Sequence, residues 1–242
     1  MYKGKKVSVV LATYREKYTI KKVINDFFAT GYVDEVIVSN NNAESGTVEE
    51  VRKTKAKLVY ERRQGYGYAF QSGIKAARGY YILLCEPDGT FQAKDIERFL
   101  IYAKDFDIVL GSRTGQSTPL SGADMTVVRK FANVLEAKSI EILFNTNALT
   151  DIGCTYKLFR KSAINKLSKF WQTTNSLFAT ELVLLTVSEN MHFIEIPITF
   201  KKRVGTSTFV EGLPNQIKWA FRIQFFILKF WLKWIVRKIF NK

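Results

Sequence analysis

A single histidine and two cysteines give this chain of 242 residues few soft metal ligands. His192 has no other His or Cys nearby to complete a ligand set and reads as structural. Cys85 and Cys154 lack a CxxC spacing and sit in apolar or mixed surroundings, which predicts buried free thiols in a reducing compartment. No GxGxxG follows the first apolar strand, which disfavours an oxidoreductase. No RRM, KH or zinc pattern occurs, so nucleic acid is not expected as a partner. Internal repeats are absent. So is a long apolar run: in the apolar C-terminal stretch Ile217 to Phe240 the longest uncharged segment is Ile223 to Leu228, too short to span a bilayer. The basic Met1 to Lys6 followed by apolar Val7 to Ala12 imitates a signal peptide, but Arg15, Glu16 and Lys17 end the run too early, and the main domain is expected to stay in the cytoplasm.

Acidic residues are also scarce, 22 against 37 Lys and Arg, and the net charge of +15 points to a polyanionic partner: nucleic acid, anionic lipid or a phosphorylated substrate. The excess is concentrated at the end of the chain. From Lys201 to Lys242 there are ten bases and one acid, Glu211.

What is present alternates. Lys6 to Ala12, Asp34 to Ser39, Lys57 to Glu61, Gly79 to Cys85 and Phe106 to Gly111 read as strands. Thr19 to Ala29, with Ile20, Val23, Ile24, Phe27 and Phe28 at helical spacing, and Tyr68 to Arg78 read as helices between them. The alternation predicts an α/β fold, a mostly parallel sheet flanked by helices. Further on, Gly115 to Asp124 reads as a polar loop near the site, Thr126 to Phe144 and Ser176 to Glu189 as helices, His192 to Phe200 as a strand, and Lys201 to Thr208 as a basic loop. One domain over residues 1–212 and a helical tail over 213–242 are expected.

Ligands of open α/β sheets bind beyond the carboxyl ends of the strands. There, the strand Tyr80 to Cys85 ends in Glu86-Pro87-Asp88-Gly89-Thr90. Two carboxylates at that spacing can hold Mg2+ or Mn2+, hard cations that share oxygen ligands with substrate phosphates; an acidic surface turn is the alternative.

Four segments in order resemble glycosyltransferase family 2, whose fold is the Rossmann-like GT-A and whose metal motif is of the DxD type. Val7 to Glu16 is similar to the opening strand and nucleotide-binding turn, with Ala12 in place of the usual proline. Val36 to Thr47 stands where the family has its Val-Asp-Asp element, with Asn40 and Asn41 for the aspartates. Gln64 to Ala69, followed by Gly73 and Gly79, resembles the glycine-punctuated helix start, and Glu86-x-Asp88 occupies the DxD position. The resemblance implies a nucleotide-sugar donor, UDP- or GDP-linked, held by Ala12, Tyr14, Glu16, Asn40, Asn41, Gly65, Gly67, Glu86 and Asp88. Amides present donors as well as acceptors, so the base they read is left open.

The acceptor half resembles polyprenyl-phosphate glycosyltransferases of the dolichol-phosphate mannosyltransferase kind. It implies that Arg113, after Gly111-Ser112, and Arg129, together with Arg203 and Ser207, bind an acceptor phosphate, a task to which the guanidinium fork is suited. Thr150 to Arg160 is similar to the relatives' Asp-x-x-Ser-Gly-Phe-Arg stretch and places Asp151 beside the acceptor. Glu181 looks like the family's acidic helix residue, and Lys201 to Ser207, with Arg203 and Ser207, resembles its flexible loop over the diphosphate. Asp88, Asp151 and Glu181 are the catalytic candidates. A lipid phosphate acceptor needs no strong base; a sugar hydroxyl would require Asp151 or Glu181 to take the proton.

In Ile217 to Phe240, Lys218, Arg222, Lys229, Lys233 and Arg237 fall within roughly one quadrant of a helix at about 100° per residue. Such a helix fits the headgroup plane of an anionic membrane, which predicts a peripheral protein on the cytoplasmic face. Burial in a homo-oligomer is the alternative for the tail, and a catalytically silent membrane scaffold is the rival for the whole chain.

Overall fold

The computed structural model describes residues 1–114, 127–202 and 212–240. At its centre is a seven-stranded sheet in the order β3-β2-β1-β4-β6-β5-β7. The strands are β1 (Val7–Thr13), β2 (Glu35–Asn40), β3 (Lys57–Tyr60), β4 (Tyr81–Cys85), β5 (Ile108–Ser112), β6 (Lys157–Arg160) and β7 (Phe193–Pro197). Pairing is parallel from β3 through β4 and between β5 and β7, as the alternation predicts, while β6 runs antiparallel to both β4 and β5. That strand has four residues and carries Lys157 fully buried, so neither length nor hydropathy marks it.

Strand periodicity divides the core in two. Val7, Val9 and Leu11 of β1, with Tyr81, Leu83 and Cys85 of β4, join one apolar cluster, while Val10, Ile82 and Leu84 join the other. Both faces being covered explains why these strands read as near-continuous apolar runs. The first cluster is closed by α1 (Ile20–Ala29) and α4 (Ile96–Tyr102); Ile20, Val23, Ile24 and Phe27 bring α1's apolar stripe onto the sheet. The short α2 (Thr47–Arg52) lies beside α1. The second cluster takes residues from α3 (Tyr66–Ala76), α5 (Val127–Phe144), α6 (Lys161–Ser168) and α7 (Phe178–Ser188).

The tail is a helix, α8 (Leu213–Phe240), and it packs on the body. Its Ile223 and Ile227 are buried in the second cluster, and its indoles donate to backbone carbonyls, Trp231 Nε1 to Leu143 at 2.7 Å and Trp234 Nε1 to Ser188 at 3.2 Å. Arg237 forms an ion pair with Glu189 at the end of α7. One face of α8 is therefore spent on α5 and α7.

The contact between α3 and the sheet requires glycine. A methyl group on Gly73 would lie 2.4 Å from Val10 Cγ1, on a fully buried strand residue. Gly73→Ala is expected to destabilise by about 1–3 kcal/mol through overpacking, despite alanine's better helix propensity. Val10→Ala should relieve the clash, so urea denaturation of the two single variants and the double variant should give strongly non-additive losses; additive losses would reject the close packing as the cause.

Candidate active site

Register brings the chemistry to one edge. Thr13 pairs with Asn40 across β1 and β2, and Leu11 pairs with Cys85 across β1 and β4, so the turns after all three strands emerge together. Because β6 is antiparallel to both β4 and β5, the latter two point the same way, and Arg113 leaves the sheet at this edge too.

The turn after β1 is organised by Glu16, whose Oε2 accepts from Tyr14 N at 2.7 Å, Arg15 N at 2.9 Å and Thr13 Oγ1 at 3.1 Å. Ala12 is half-buried within β1, and the Tyr14 ring is exposed with Arg15 stacked on it. Asn40 Oδ1 accepts from Ala43 N at 2.8 Å. Asn41 acts as a clasp between loops: its Nδ2 donates to the carbonyls of Glu61 and Arg63 at 2.9 and 2.7 Å, and its Oδ1 accepts from Gly65 N at 2.8 Å. An aspartate could not donate those two bonds. Asn41 thus fixes the approach of the segment that starts α3.

Gly65 and Gly67 are where that helix start meets the chain before α7. Gly65 has φ +156°, and a methyl group on either glycine would lie within 2.4–2.7 Å of Thr174 backbone atoms. Gly67 N donates to Thr174 O at 2.9 Å. The facing segment is held in turn by Glu181, which accepts from Gln172 N at 2.8 Å and from Thr173 N and Oγ1 at 3.0 and 2.6 Å. Glu181 is buried, and burial raises its proton affinity against those bonds.

The acidic turn after β4 is braced at both carboxylates. Asp88 is buried, and its Oδ1 accepts from Thr90 N at 3.0 Å and Thr90 Oγ1 at 2.6 Å, which orients the group. Glu86 Oε1 accepts from Thr155 Oγ1 at 2.6 Å and Tyr66 OH at 3.3 Å. Among the described residues no group of three or more His, Cys, Asp or Glu side chains converges. The turn offers a pair of oriented, hard oxygen donors.

Beyond the end of β5, Arg113 and Asp151 face each other. Arg113 Nε lies 2.7 Å from Asp151 Oδ2 and Nη2 lies 2.8 Å from Oδ1, while Arg113 N donates to Oδ2 at 3.0 Å. Burial would push the Asp151 carboxyl up, but the Arg113 guanidinium overcomes it and holds the group below the usual carboxylate range. Glu195 of β7 braces the same loop, accepting from Thr150 N and Oγ1 at 2.9 and 2.5 Å and from Asp151 N at 3.2 Å. Arg129 lies near the start of α5 and makes an interaction of its own. Arg203 and Ser207, and the expected loop Gly115 to Asp124, lie outside the described residues.

The model of glycosyl transferase family 2 matches residues 8–168, from β1 through α6. The chain belongs to glycosyltransferase family 2. Among its curated relatives, the dolichyl-phosphate beta-glucosyltransferase of Saccharomyces cerevisiae is 23% identical over 228 residues, 83% of this chain and 68% of that protein. The dolichyl-phosphate hexose transferase of Haloferax volcanii is 23% identical over 201 residues, 82% of this chain and 84% of that protein. The fold matches the crystal structure of glucosyl-3-phosphoglycerate synthase from Mycobacterium tuberculosis in complex with Mn2+, UDP and glucosyl-3-phosphoglycerate. The TM-score is 0.70 at 14% identity, over 96% of this chain and 80% of that one. The mostly parallel, GT-A-like architecture expected from the sequence is thus present.

For this glycosyltransferase the sequence reading did not include the residues that hold the named ones. Thr90, Tyr66 and Thr155 orient the acidic turn, Glu195 braces the loop that carries Asp151, and the buried Glu136 of α5 feels the Asp151 charge. A carboxylate inside an apolar strand or on the apolar face of a helix, as at Glu195 and Glu136, is the signal that could have found the last two.

Asp151→Asn should cost about 3–5 kcal/mol, because it leaves the Arg113 cation buried without its counter-charge. The native pair contributes stability that is fully present above the ordinary carboxylate pKa and is lost as pH falls through the depressed Asp151 value. Urea midpoints measured from neutral pH down to pH 3 should therefore converge for the two proteins at the acid end; a constant gap would place the stabilisation elsewhere.

Proposed function

We propose that this glycosyltransferase transfers a sugar, with inversion, from a UDP- or GDP-sugar to a polyprenyl phosphate at the cytoplasmic face of a membrane. The observation that carries the choice of acceptor is that both candidate bases for a hydroxyl acceptor are already committed. Asp151 is ion-paired to Arg113, and Glu181 is bound by the Gln172–Thr173 segment. A group held below the usual carboxylate range is a weak proton acceptor. An anionic phosphate oxygen needs none. The names of the yeast and archaeal relatives, which are dolichyl-phosphate transferases, support the same acceptor class.

On the donor side, the turn after β1, Asn40, and the Gly65–Gly67 segment fixed by Asn41 would bind the nucleotide, as the family resemblance implies. Glu86 and Asp88 fit Mg2+ or Mn2+, since both present oxygen donors and both are held in place before ligand arrives. A divalent cation bound there supplies neutralisation of charge on the departing nucleoside diphosphate. The acceptor oxygen attacks the anomeric carbon as the bond to the diphosphate breaks on the opposite face. In Arg113, Nε and Nη2 are spent on Asp151, so Nη1 is the end presented to an acceptor phosphate, with Arg129 and Arg203 as further cations. Asp151 then acts by positioning Arg113. Ser207 would belong to the loop that closes on the diphosphate.

Two helices support the membrane. On α5, Val127, Phe131, Leu135 and Ile142 are exposed on one stripe; on α8, Phe221, Phe225, Leu228 and Leu232 form another, flanked by the exposed row Lys218, Arg222, Lys229 and Lys233. Phe131 is 70% and Phe221 73% exposed, far from the cover an apolar ring needs in water. A basic row beside an apolar stripe matches an anionic bilayer surface. Among the described residues no helix is long and apolar enough to cross a membrane.

Asp88→Ala is expected to lower transfer to polyprenyl phosphate on the order of a hundredfold or more at saturating Mn2+ while the thermal transition is retained. Wild-type turnover in that variant would remove the metal assignment.

Removing α8 altogether would strip cover from α5 and α7, so substitutions on its exposed stripe test docking more cleanly. Phe221→Ser with Phe225→Ser should leave the fold intact and abolish flotation with vesicles containing anionic lipid. If instead the unaltered protein stays unbound to such vesicles and the double variant falls from oligomer to monomer in light scattering, the stripe is an assembly surface.

A further inference from the structure

Glu136 lies in the middle of α5 on its inward face, beside Ala137 and one turn before Ile140, both fully buried. The residue is 3% exposed, and its Oε2 is sealed from solvent without a hydrogen-bond partner. A buried polar atom left unpaired costs free energy, and an apolar residue would serve a purely structural helix better. The same face of α5 fronts the acceptor side. Asn133, one turn earlier, and Arg113 both close on Gly153: a methyl group there would lie 3.3 Å from Asn133 Oδ1, 3.5 Å from Arg113 Nη2 and 3.9 Å from Asp151 Oδ1. Arg129 precedes Glu136 by seven residues, two helical turns, and so lies on nearly the same side of the helix.

We propose that the Glu136 carboxyl is a positioning residue of the acceptor subsite, donating a hydrogen bond to the anionic headgroup that Arg113 receives. Donation requires a proton on the carboxyl, and the surroundings keep it there: burial, then the negative Asp151, push Glu136 up to about 8. Asp151, the charged group that acts on it, is ion-paired to Arg113 at the end of β5; elsewhere on this side of the sheet Lys157 of β6 is bound to the Cys154 carbonyl and Glu195 of β7 to Thr150. The bases of α8 at Lys218, Arg222, Lys229 and Lys233 are all exposed, and Glu181 of α7 is held by Thr173. A neutral donor at this place binds a phosphate oxygen without adding a second negative charge next to Asp151. Ionised, it would repel the headgroup. The inference rests on the phosphate-acceptor reading above and adds a residue that selects for it.

The test is steady-state kinetics of full-length enzyme with Mn2+, a UDP- or GDP-sugar and a short-chain polyprenyl phosphate, donor and acceptor varied separately from pH 6.5 to 9.5. Glu136→Ala should raise acceptor KM at least about tenfold, the value of a hydrogen bond to a charged group, and move donor KM far less. Glu136→Gln keeps a donor and should recover most of that loss. In the unaltered enzyme acceptor KM should climb as pH rises through about 8, and Glu136→Gln should lack that limb. Any alkaline loss that comes from Lys157, whose proton affinity burial lowers, would persist in both proteins. Equal acceptor KM in the Ala and Gln variants, or an alkaline limb retained by Glu136→Gln, overturns the role of Glu136 while leaving the phosphate acceptor in place. Failure of the unaltered enzyme to use any polyprenyl phosphate, with turnover on a sugar hydroxyl instead, overturns both.

Discussion

The side of the sheet edge built by β5 and β6 depends on one buried ion pair. Arg113 leaves the end of β5 and Asp151 stands in the loop before β6, so their two side-chain bonds and one backbone bond tie together segments 38 residues apart. Neither charge could be buried alone, since desolvation would neutralise an isolated carboxylate or expel the cation. Once joined they present a nearly neutral unit with a defined orientation, against which Glu195, Glu136 and Lys157 take their own charge states. The sheet serves this pair. Antiparallel β6 between β4 and β5 brings Thr155 to Glu86 and Asp151 to Arg113, linking the acidic turn to the acceptor side through five residues of one loop.

The parallel half of the fold was legible because its strands are buried on both faces and its helices carry one apolar stripe. Lys6 to Ala12 and Gly79 to Cys85 differ from β1 and β4 by a residue or two at the ends, and Thr19 to Ala29 by one from α1. What was not legible involves either short elements or contacts distant in sequence. β6 is four residues long and includes a buried lysine whose ammonium finds the Cys154 carbonyl, a solution that hydropathy cannot anticipate. Asn41 is the sharper case. Its position in the family motif points to the nucleotide, and its amide also reaches carbonyls 20 and 22 residues away and organises the loop. The motif residues do come together at one edge of the sheet. The motif could not say which polar atoms the fold itself consumes.

Helix α8 illustrates a related limit. Its sequence shows an apolar surface broken by a basic row, and that pattern alone is compatible with a helix lying free on a bilayer or one buried between subunits. The structure resolves the apolar surface into two parts with different fates. Ile223, Ile227, Trp231 and Trp234 belong to the body, while Phe221, Phe225, Leu228 and Leu232 face outward beside the bases. The Trp N–H groups make the division concrete, because each needs an acceptor when covered and each finds a carbonyl at the end of a neighbouring helix. A docked helix with a residual stripe is pre-ordered, so little conformational entropy remains to be lost when that stripe is covered. The same holds for α5, which carries the acceptor-side residues inward and an exposed stripe outward; whatever covers that stripe is two turns or less from the residues that face Arg113.

Environment moves the proton affinities of the carboxylates around this edge in different directions. Asp151, against a guanidinium, keeps its charge and is spent on orientation. Glu195 and Glu181 are raised by burial but wrapped in donors, three donor groups of Thr150 and Asp151 at Glu195 and three of Gln172 and Thr173 at Glu181, which makes them clamps on loops. Glu136 has burial and the neighbouring negative charge without compensating donors, and its carboxyl is pushed furthest, to about 8. The ordering follows from counting hydrogen-bond donors around each group: a carboxylate gains its charge where N–H and O–H groups converge, and holds its proton where none do. At this edge the donor-rich loops hold Asp151, Glu195 and Glu181, while Glu136, the acid with an unpaired oxygen, sits on α5.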